Sequence, residues 1–353
     1  MKTRHLLLTL PTVSLIVASG ALLAQGHMGG MRGGMAGGMG GGMGGMQQSV
    51  QAPADNPITP AKVTFGKQLF FDARLSKDGT VSCNSCHNLS AAGADTRAVS
   101  TGVGGAQGVR NAPTVWNSAF HQAQFWDGRA PSLEEQAKGP LTNPVEMAMP
   151  SLDAVVARVK GIAGYVSQFD AVFGKNAVTI DNIAKAIATY ERTLISGRST
   201  FDNFRFANKG ALSKAELDGF QTFRSVGCTQ CHMGPDFAGP PPLARGDGFY
   251  QKFPLFDASP LIAKYKLLDD PGRLSASGQE ADRHVWRVPS MRNVKETAPY
   301  FHNGLVPTLD EAVRVCAAGG NNRVLTPAEV KSISAFLGSL SGTLTAQTAP
   351  KLP

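Results

Sequence analysis

The same five-residue arrangement occurs twice in this chain, as Cys83-Asn84-Ser85-Cys86-His87 and as Cys228-Thr229-Gln230-Cys231-His232. Two thiols three positions apart can bond to one planar group, and a histidine directly behind them is then held against that group's face. This is the attachment spacing of a c-type haem, with the histidine as an axial iron ligand. A thioredoxin-like dithiol and half of a zinc site share the Cys-x-x-Cys part. Neither explains a histidine behind both pairs, and no further pair is present to complete a zinc site. Of the five cysteines, four are used and Cys316 remains. Two covalently bound c-type haems, on Cys83, Cys86 and His87 and on Cys228, Cys231 and His232, limit what the chain can fold into. Each half has to wrap loops and helices around a large apolar group.

Residues 1–24 read as a secretory signal: Lys2, Arg4 and His5 lead, an apolar run from Leu6 to Val17 follows, and small residues surround Ala21 and Ala24. The run is short for a bilayer span. A periplasmic protein without a stable membrane anchor is expected, in the compartment where c-type haems are attached and thiols are not kept reduced. Residues 25–54 form a Gly/Met-rich arm whose glycine density cannot repay its ordering entropy. It reads as a flexible spacer. Cu(I) binding by Met28, Met31, Met35, Met39, Met43 and Met46 with His27 is the sharper alternative.

The formal charge is +8, and two of those charges, Lys2 and Arg4, leave with the signal. The remaining basic residues are scattered, which does not support a nucleic-acid partner. Such a surface suits steering toward the acidic face of a small electron carrier.

Apolar residues three and four apart predict helices over 61–75, 152–173, 180–195, 214–226 and 327–340. Ser213 and Thr326 are expected N-caps, the latter with Pro327 and Glu329 behind it as a capping box. Long Gly/Pro-rich loops over 102–113 and 234–247 are expected to wrap a cofactor or carry function. The expected fold is mainly α: two cytochrome c-like domains with one haem each, over 55–197 and 198–345, and a tail over 346–353.

From Phe65 to Gly342 the chain resembles the bacterial diheme cytochrome c peroxidase family, which includes the diheme enzyme that matures methylamine dehydrogenase. The blocks that carry the resemblance are Lys67-Gln68-Leu69-Phe70-Phe71-Asp72, Gln124-Phe125-Trp126-Asp127-Gly128-Arg129-Ala130, Gln136-Ala137-Lys138-Gly139-Pro140, Val145-Glu146-Met147 and Thr297-Ala298-Pro299-Tyr300-Phe301-His302. The resemblance implies that hydrogen peroxide reacts at the N-terminal haem and that the C-terminal haem takes electrons from a donor. It implies Glu146 as the acid–base carboxylate, Gln136 as its polar neighbour and Trp126 as the electron relay between haems. It also implies one Ca²⁺ at Asn111, Thr297 and Pro299, where amide and carbonyl oxygens suit a hard cation. Oligomeric state is left open, a homodimer included.

Two positions depart from the family. Where many members carry a distal-loop histidine, sixteen residues after the proximal one, this chain has Val103; His121 lies beyond and is expected to be structural. A five-coordinate N-terminal haem follows. At the other haem the family's sixth ligand is methionine or tyrosine on a helix after the Tyr-Phe-His block, and Cys316 falls at that position. Met291 is the rival sulfur, whereas Met233 beside His232 cannot reach the opposite face.

The expected activity is reduction of hydrogen peroxide to water with electrons from a small cytochrome c or cupredoxin. The alternatives are a peroxide-driven oxidant that modifies side chains of a partner protein, and a plain diheme electron carrier.

Overall fold

The computed structural model describes residues 50–240 and 248–353. The predicted signal, nearly all of the Gly/Met-rich arm and the end of the 234–247 loop lie outside the described residues.

Helix α1 (Pro60–Phe71) opens where Thr59 accepts the Lys62 N–H and Pro60 takes the first position, at which a missing N–H leaves nothing unpaired. The next helices are α2 (Cys83–Cys86), which is the first thiol pair itself, α3 (Leu133–Thr142), α4 (Leu152–Lys160), α5 (Ala163–Phe173) and α6 (Ile180–Glu191). The second half holds α7 (Thr200–Phe206), α8 (Lys214–Ser225), α9 (Pro260–Lys264), α10 (Leu274–Ser277), α11 (Leu309–Asn321) and α12 (Pro327–Gly338). Among the described residues the only sheet is a two-stranded antiparallel ribbon, β1 (Tyr250–Lys252) with β2 (Val285–Arg287), in which Tyr250 faces Arg287. The chain is mostly helical, as expected.

Several helical segments are shorter than their periodicity suggests, and two show why. The 61–75 segment stops at Phe71 because the Asp72 side chain accepts the Arg74 N–H and starts a separate 3₁₀ turn over Ala73–Leu75. The 152–173 segment is two helices. Gly161 caps α4, and Ile162 is extended, with φ −106° and ψ 97°, before α5 begins. Ser213 and Thr326 do cap α8 and α12, each with a reciprocal glutamate, Glu216 or Glu329.

A first core gathers Phe65, Leu69, Phe70, Tyr165, Phe169, Ile183 and Tyr190. A second gathers Phe201, Phe223, Phe237, Ile333 and Phe336, and a smaller third lies around Ile262, Tyr300 and Val315. The stretch after Ser341 returns to the first core. Leu344 packs against it, the Tyr190 hydroxyl donates to Gln347 Oε1 at 3.1 Å, and Gln68 Nε2 donates to the Lys351 carbonyl at 2.9 Å.

Each of the two larger cores is built on one crossed helix pair, and each crossing is made at a glycine. A Cβ on Gly66 of α1 would sit 1.9 Å from the Ala186 carbonyl oxygen on α6. On Gly219 of α8 it would sit 1.9 Å from the Ser332 carbonyl oxygen on α12. The obstructing atom is backbone in both cases, so no side-chain rotation relieves it.

Gly66→Ala and Gly219→Ala are therefore each expected to destabilise the protein by about 3 kcal/mol, the upper end of ordinary overpacking costs. Chemical denaturation measures this; a change within about 0.5 kcal/mol, the surface-substitution range, would contradict the close crossing.

Candidate haem centres

The first thiol pair is presented by a single helical turn. Ser82 and Ser85 cap α2 reciprocally, the Ser82 N–H donating to Ser85 Oγ at 3.0 Å. Positions i and i+3 of such a turn are neighbours on its surface, which places Cys83 and Cys86 side by side. The His87 N–H donates to the Cys83 carbonyl at 2.9 Å. His87 Nδ1 lies 2.8 Å from the Pro113 carbonyl oxygen. A carbonyl can only accept, so Nδ1 carries the proton and Nε2 keeps its lone pair for a metal. Burial lowers the imidazole's pKa, which also keeps that lone pair unprotonated.

The second motif repeats the device with a shorter span. Gly227, at φ 97°, opens a 3₁₀ turn over Cys228–Gln230. His232 Nδ1 donates to the Phe237 carbonyl at 3.0 Å, five residues on. Burial again lowers the histidine's pKa, and it pushes the Cys228 thiol up to about 11.

Glu146 follows α3, on a turn whose N–H groups return to Asn143. Asn143 Nδ2 donates to Glu146 Oε1 at 2.6 Å. Burial raises the Glu146 carboxyl above the ordinary range, opposed by the Asn143 hydrogen bond and the Arg129 charge. Glu146 also acts electrostatically on both Cys83 and Cys86. The loop containing Val103 folds against the same residue: the Val103 N–H donates to the Glu146 carbonyl at 2.8 Å. Gly102 permits this approach, since a Cβ there would meet the Val145 carbonyl oxygen at 2.3 Å. Gln136 lies two helical turns before Asn143 on α3 and is half-buried. The structure thus brings Glu146, Asn143 and the Val103 loop to the first motif.

One cavity runs from Pro113, whose carbonyl holds His87, to Cys228, Cys231, His232 and Cys316. Trp126 lines it, donating its indole N–H to the Asn111 carbonyl at 2.9 Å. Asn111, Thr297 and Pro299 share that lining, and Asn111 spends its amide N–H on the Arg97 carbonyl at 2.9 Å. Cys316, on α11, is a half-buried thiol whose pKa is pushed up to about 12 by desolvation, then by the neighbouring Cys228 and Cys231. Met291 borders the cavity too, but its N–H donates to the Asp236 carbonyl at 3.3 Å, beside the Phe237 that holds His232. His121 lies in this cavity and not over the first motif; burial and the charge of Arg287 lower its pKa.

These donors fit haem. Among the described residues no group of three His, Cys, Asp or Glu could hold a bare metal ion. One imidazole per motif suits an iron that brings four nitrogen donors of its own. Buried polar atoms without a partner also edge the cavity, namely Trp116 Nε1 and His302 Nε2. His302 stacks on Trp286 with ring centroids 4.1 Å apart, and burial lowers its pKa to about 4, so the ring is neutral near neutral pH.

Several of these groups carry no sequence signal. The Pro113 and Phe237 carbonyls are backbone atoms and Trp116 reads as core. Arg287 is one of many basic residues until its burial is seen. Asn143 lies just before the Val145-Glu146-Met147 block, and its hold on Glu146 is visible only in the fold.

Comparison with known proteins gives one consistent answer. Residues 60–210 match the family model described as di-haem cytochrome c peroxidase. The chain is 44% identical over 310 residues to cytochrome c551 peroxidase of Nitrosomonas europaea, covering 85% of this chain and 88% of that protein. It is 41% identical over 300 residues to cytochrome c551 peroxidase of Pseudomonas aeruginosa, covering 84% and 83%. Among solved structures it is similar to a MauG-like protein associated with microbial copper homeostasis, at TM-score 0.72 and 29% identity, covering 84% of this chain and 93% of that one.

Proposed function

The chain belongs to the di-haem cytochrome c peroxidase family and is an oxidoreductase acting on peroxide, and from that premise we propose how its own residues divide the work. The reaction is reduction of hydrogen peroxide to two waters by two electrons from a small redox protein, a cytochrome c or a cupredoxin, with the periplasm as its location. When bound, a haem on Cys83, Cys86 and His87 supplies the iron at which the O–O bond breaks, and a haem on Cys228, Cys231 and His232 supplies a second redox centre.

Glu146 is the proton carrier. Asn143 occupies Oε1, which leaves Oε2 to accept the proton of the inner peroxide oxygen and to return it to the outer oxygen, so that water departs. The half-buried carboxyl held by Asn143 beneath the Val103 loop is the observation that carries this reading. Val103 offers no ligand atom, so a haem held by His87 would meet no second protein ligand from that loop and would need no reductive displacement. Gln136 is the polar neighbour that helps orient peroxide. Trp126, fixed by its bond to Asn111, is the electron relay across the cavity. Asn111 Oδ1, with Thr297 and Pro299, is the proposed Ca²⁺ site, its other ligands being backbone oxygens and water.

Cys316 is the proposed sixth ligand of the second iron. It shares the cavity with His232, as Met291 does, but the Met291 backbone is tied to Asp236, next to the Phe237 that holds His232. Free, the thiol's raised pKa would keep it protonated; binding to ferric iron would stabilise the thiolate and draw the proton off. A thiolate donates more charge than a thioether, and axial identity moves haem potentials over roughly 0.8 V. The second haem is accordingly of low potential.

The Val103 and Cys316 departures favour a second reading, in which peroxide's oxidising equivalents are held and spent on side chains of a partner protein. Stoichiometric peroxide added to the resting ferric protein separates the two. Rapid turnover of a reduced small cytochrome c supports the peroxidase, and a long-lived oxidised state with poor turnover supports the second.

Glu146→Gln is expected to lower kcat about 10²- to 10⁴-fold with haem content and visible spectrum unchanged. Because the folded carboxyl is raised, its base form is lost above the usual glutamate value of about 4.3 as pH falls. The acid limb of kcat/KM should lie above that value and vanish in Glu146→Gln; a limb that persists would remove Glu146 from the role. Cys316→Met is expected to raise the potential of one haem only and to abolish the thiolate charge-transfer band in near-infrared magnetic circular dichroism. If both are unchanged, another side chain is the ligand.

A further inference from the structure

Arg287 is a buried cation with no anion. Its side chain is 6% exposed, and its only polar partner among the described residues is the Phe125 carbonyl, 3.1 Å from Nε. Neighbouring arginines are matched: Arg110 to Asp127 and Asp270, Arg129 to Asp127, and Arg292 to Asp202. The groups facing Arg287 supply no negative charge. His121 is neutral, Asp127 is already shared by two arginines, and burial raises the pKa of Tyr250, opposite it on β1, so that its phenol stays protonated. Burial lowers the guanidinium's own pKa to about 10, which still leaves it charged at neutral pH. An isolated charge in an apolar interior is costly enough that buried cations are paired.

The position of Arg287 indicates where the missing anion belongs. It lines the cavity that holds Cys228, Cys231, His232 and Cys316. Its N–H donates to the Trp126 carbonyl at 2.9 Å, and β1 holds its strand from the other edge, so the side chain is anchored at both ends. The Trp116 indole N–H, buried in the same lining, also has no acceptor. A cation and a neutral donor without partners around one cavity match a ligand that carries carboxylates.

We propose that Arg287 is the counter-ion of a haem propionate in this cavity and thereby sets how readily the second haem accepts an electron. The proposal rests on the reading that the second haem occupies the cavity. With two negative propionates and a Cys316 thiolate around one ferric porphyrin, the site is net negative without Arg287. A fixed positive charge there stabilises the added electron, so its removal favours the ferric form.

The test is a spectroscopic redox titration of the holoprotein, after haem content has been measured. A wild-type content of one haem per chain would defeat the underlying reading before the role of Arg287 is reached. With two haems, Arg287→Gln should shift the reduction equilibrium of the second haem about tenfold toward ferric, a fall of about 59 mV for one electron. The first haem should move less. Arg287→Lys should restore most of the shift, yet move the propionate-bending band in resonance Raman spectra, because an ammonium cannot reproduce the guanidinium fork. An unshifted potential in Arg287→Gln would overturn the proposal. If that variant does not retain haem, Arg287→Lys decides: a moved propionate band with near-wild-type potential supports the pairing, and an unmoved band overturns it.

Discussion

Everything at the two Cys-x-x-Cys-His motifs depends on a bond from each histidine's Nδ1 to a backbone carbonyl, which leaves Nε2 free. His87 gives its Nδ1 proton to Pro113 and His232 gives its to Phe237. In water these rings would exchange tautomers and rotate; here one tautomer and one orientation are fixed. The acceptor is backbone, so its position is inherited from the loop, and the loop is placed by the cores beneath it. Gly66 and Gly219 let one helix pair cross closely in each of the two larger cores. The order of dependence runs from helix crossing, to loop, to carbonyl, to imidazole.

The two motifs differ in what surrounds them. At the first, the neighbours are a raised carboxyl, an amide that holds one of its oxygens, and a loop whose Val103 has nothing to offer a metal. That environment suits the proton carrier proposed for it. At the second, a half-buried thiol from α11 shares the cavity with the histidine, and the polar groups nearby supply charge rather than protons. Trp126 lies in the wall of the cavity that reaches from Pro113 to His232. Such unequal surroundings, with Trp126 in the wall between them, suit the proposed splitting of a two-electron oxidant.

How far the sequence could be read follows from where each kind of information resides. Two Cys-x-x-Cys-His motifs are contiguous, so the expectation of two haem sites could be drawn from sequence directly; the α8 and α12 caps, whose chemistry spans four residues, were legible in the same way. The helical class followed from periodicity, but helix ends did not. The stop at Asp72 depends on one side-chain hydrogen bond, and the break after Gly161 on one extended residue. Functional assignments of Glu146, Gln136 and Trp126 needed family blocks, because a lone glutamate or tryptophan has many uses. Contacts between distant segments were not legible at all. The pairing of Asn143 with Glu146, the return of Gln347 to Tyr190 and the unpaired burial of Arg287 arise only once the chain is folded.

The central claim is that one iron is open and the other closed in the resting protein. Quantitative electron paramagnetic resonance of the as-isolated ferric form tests it most directly. The account requires one high-spin and one low-spin haem signal in equal amounts per chain, with only the high-spin signal altered by cyanide or azide. Two low-spin signals, or a single haem, would contradict it.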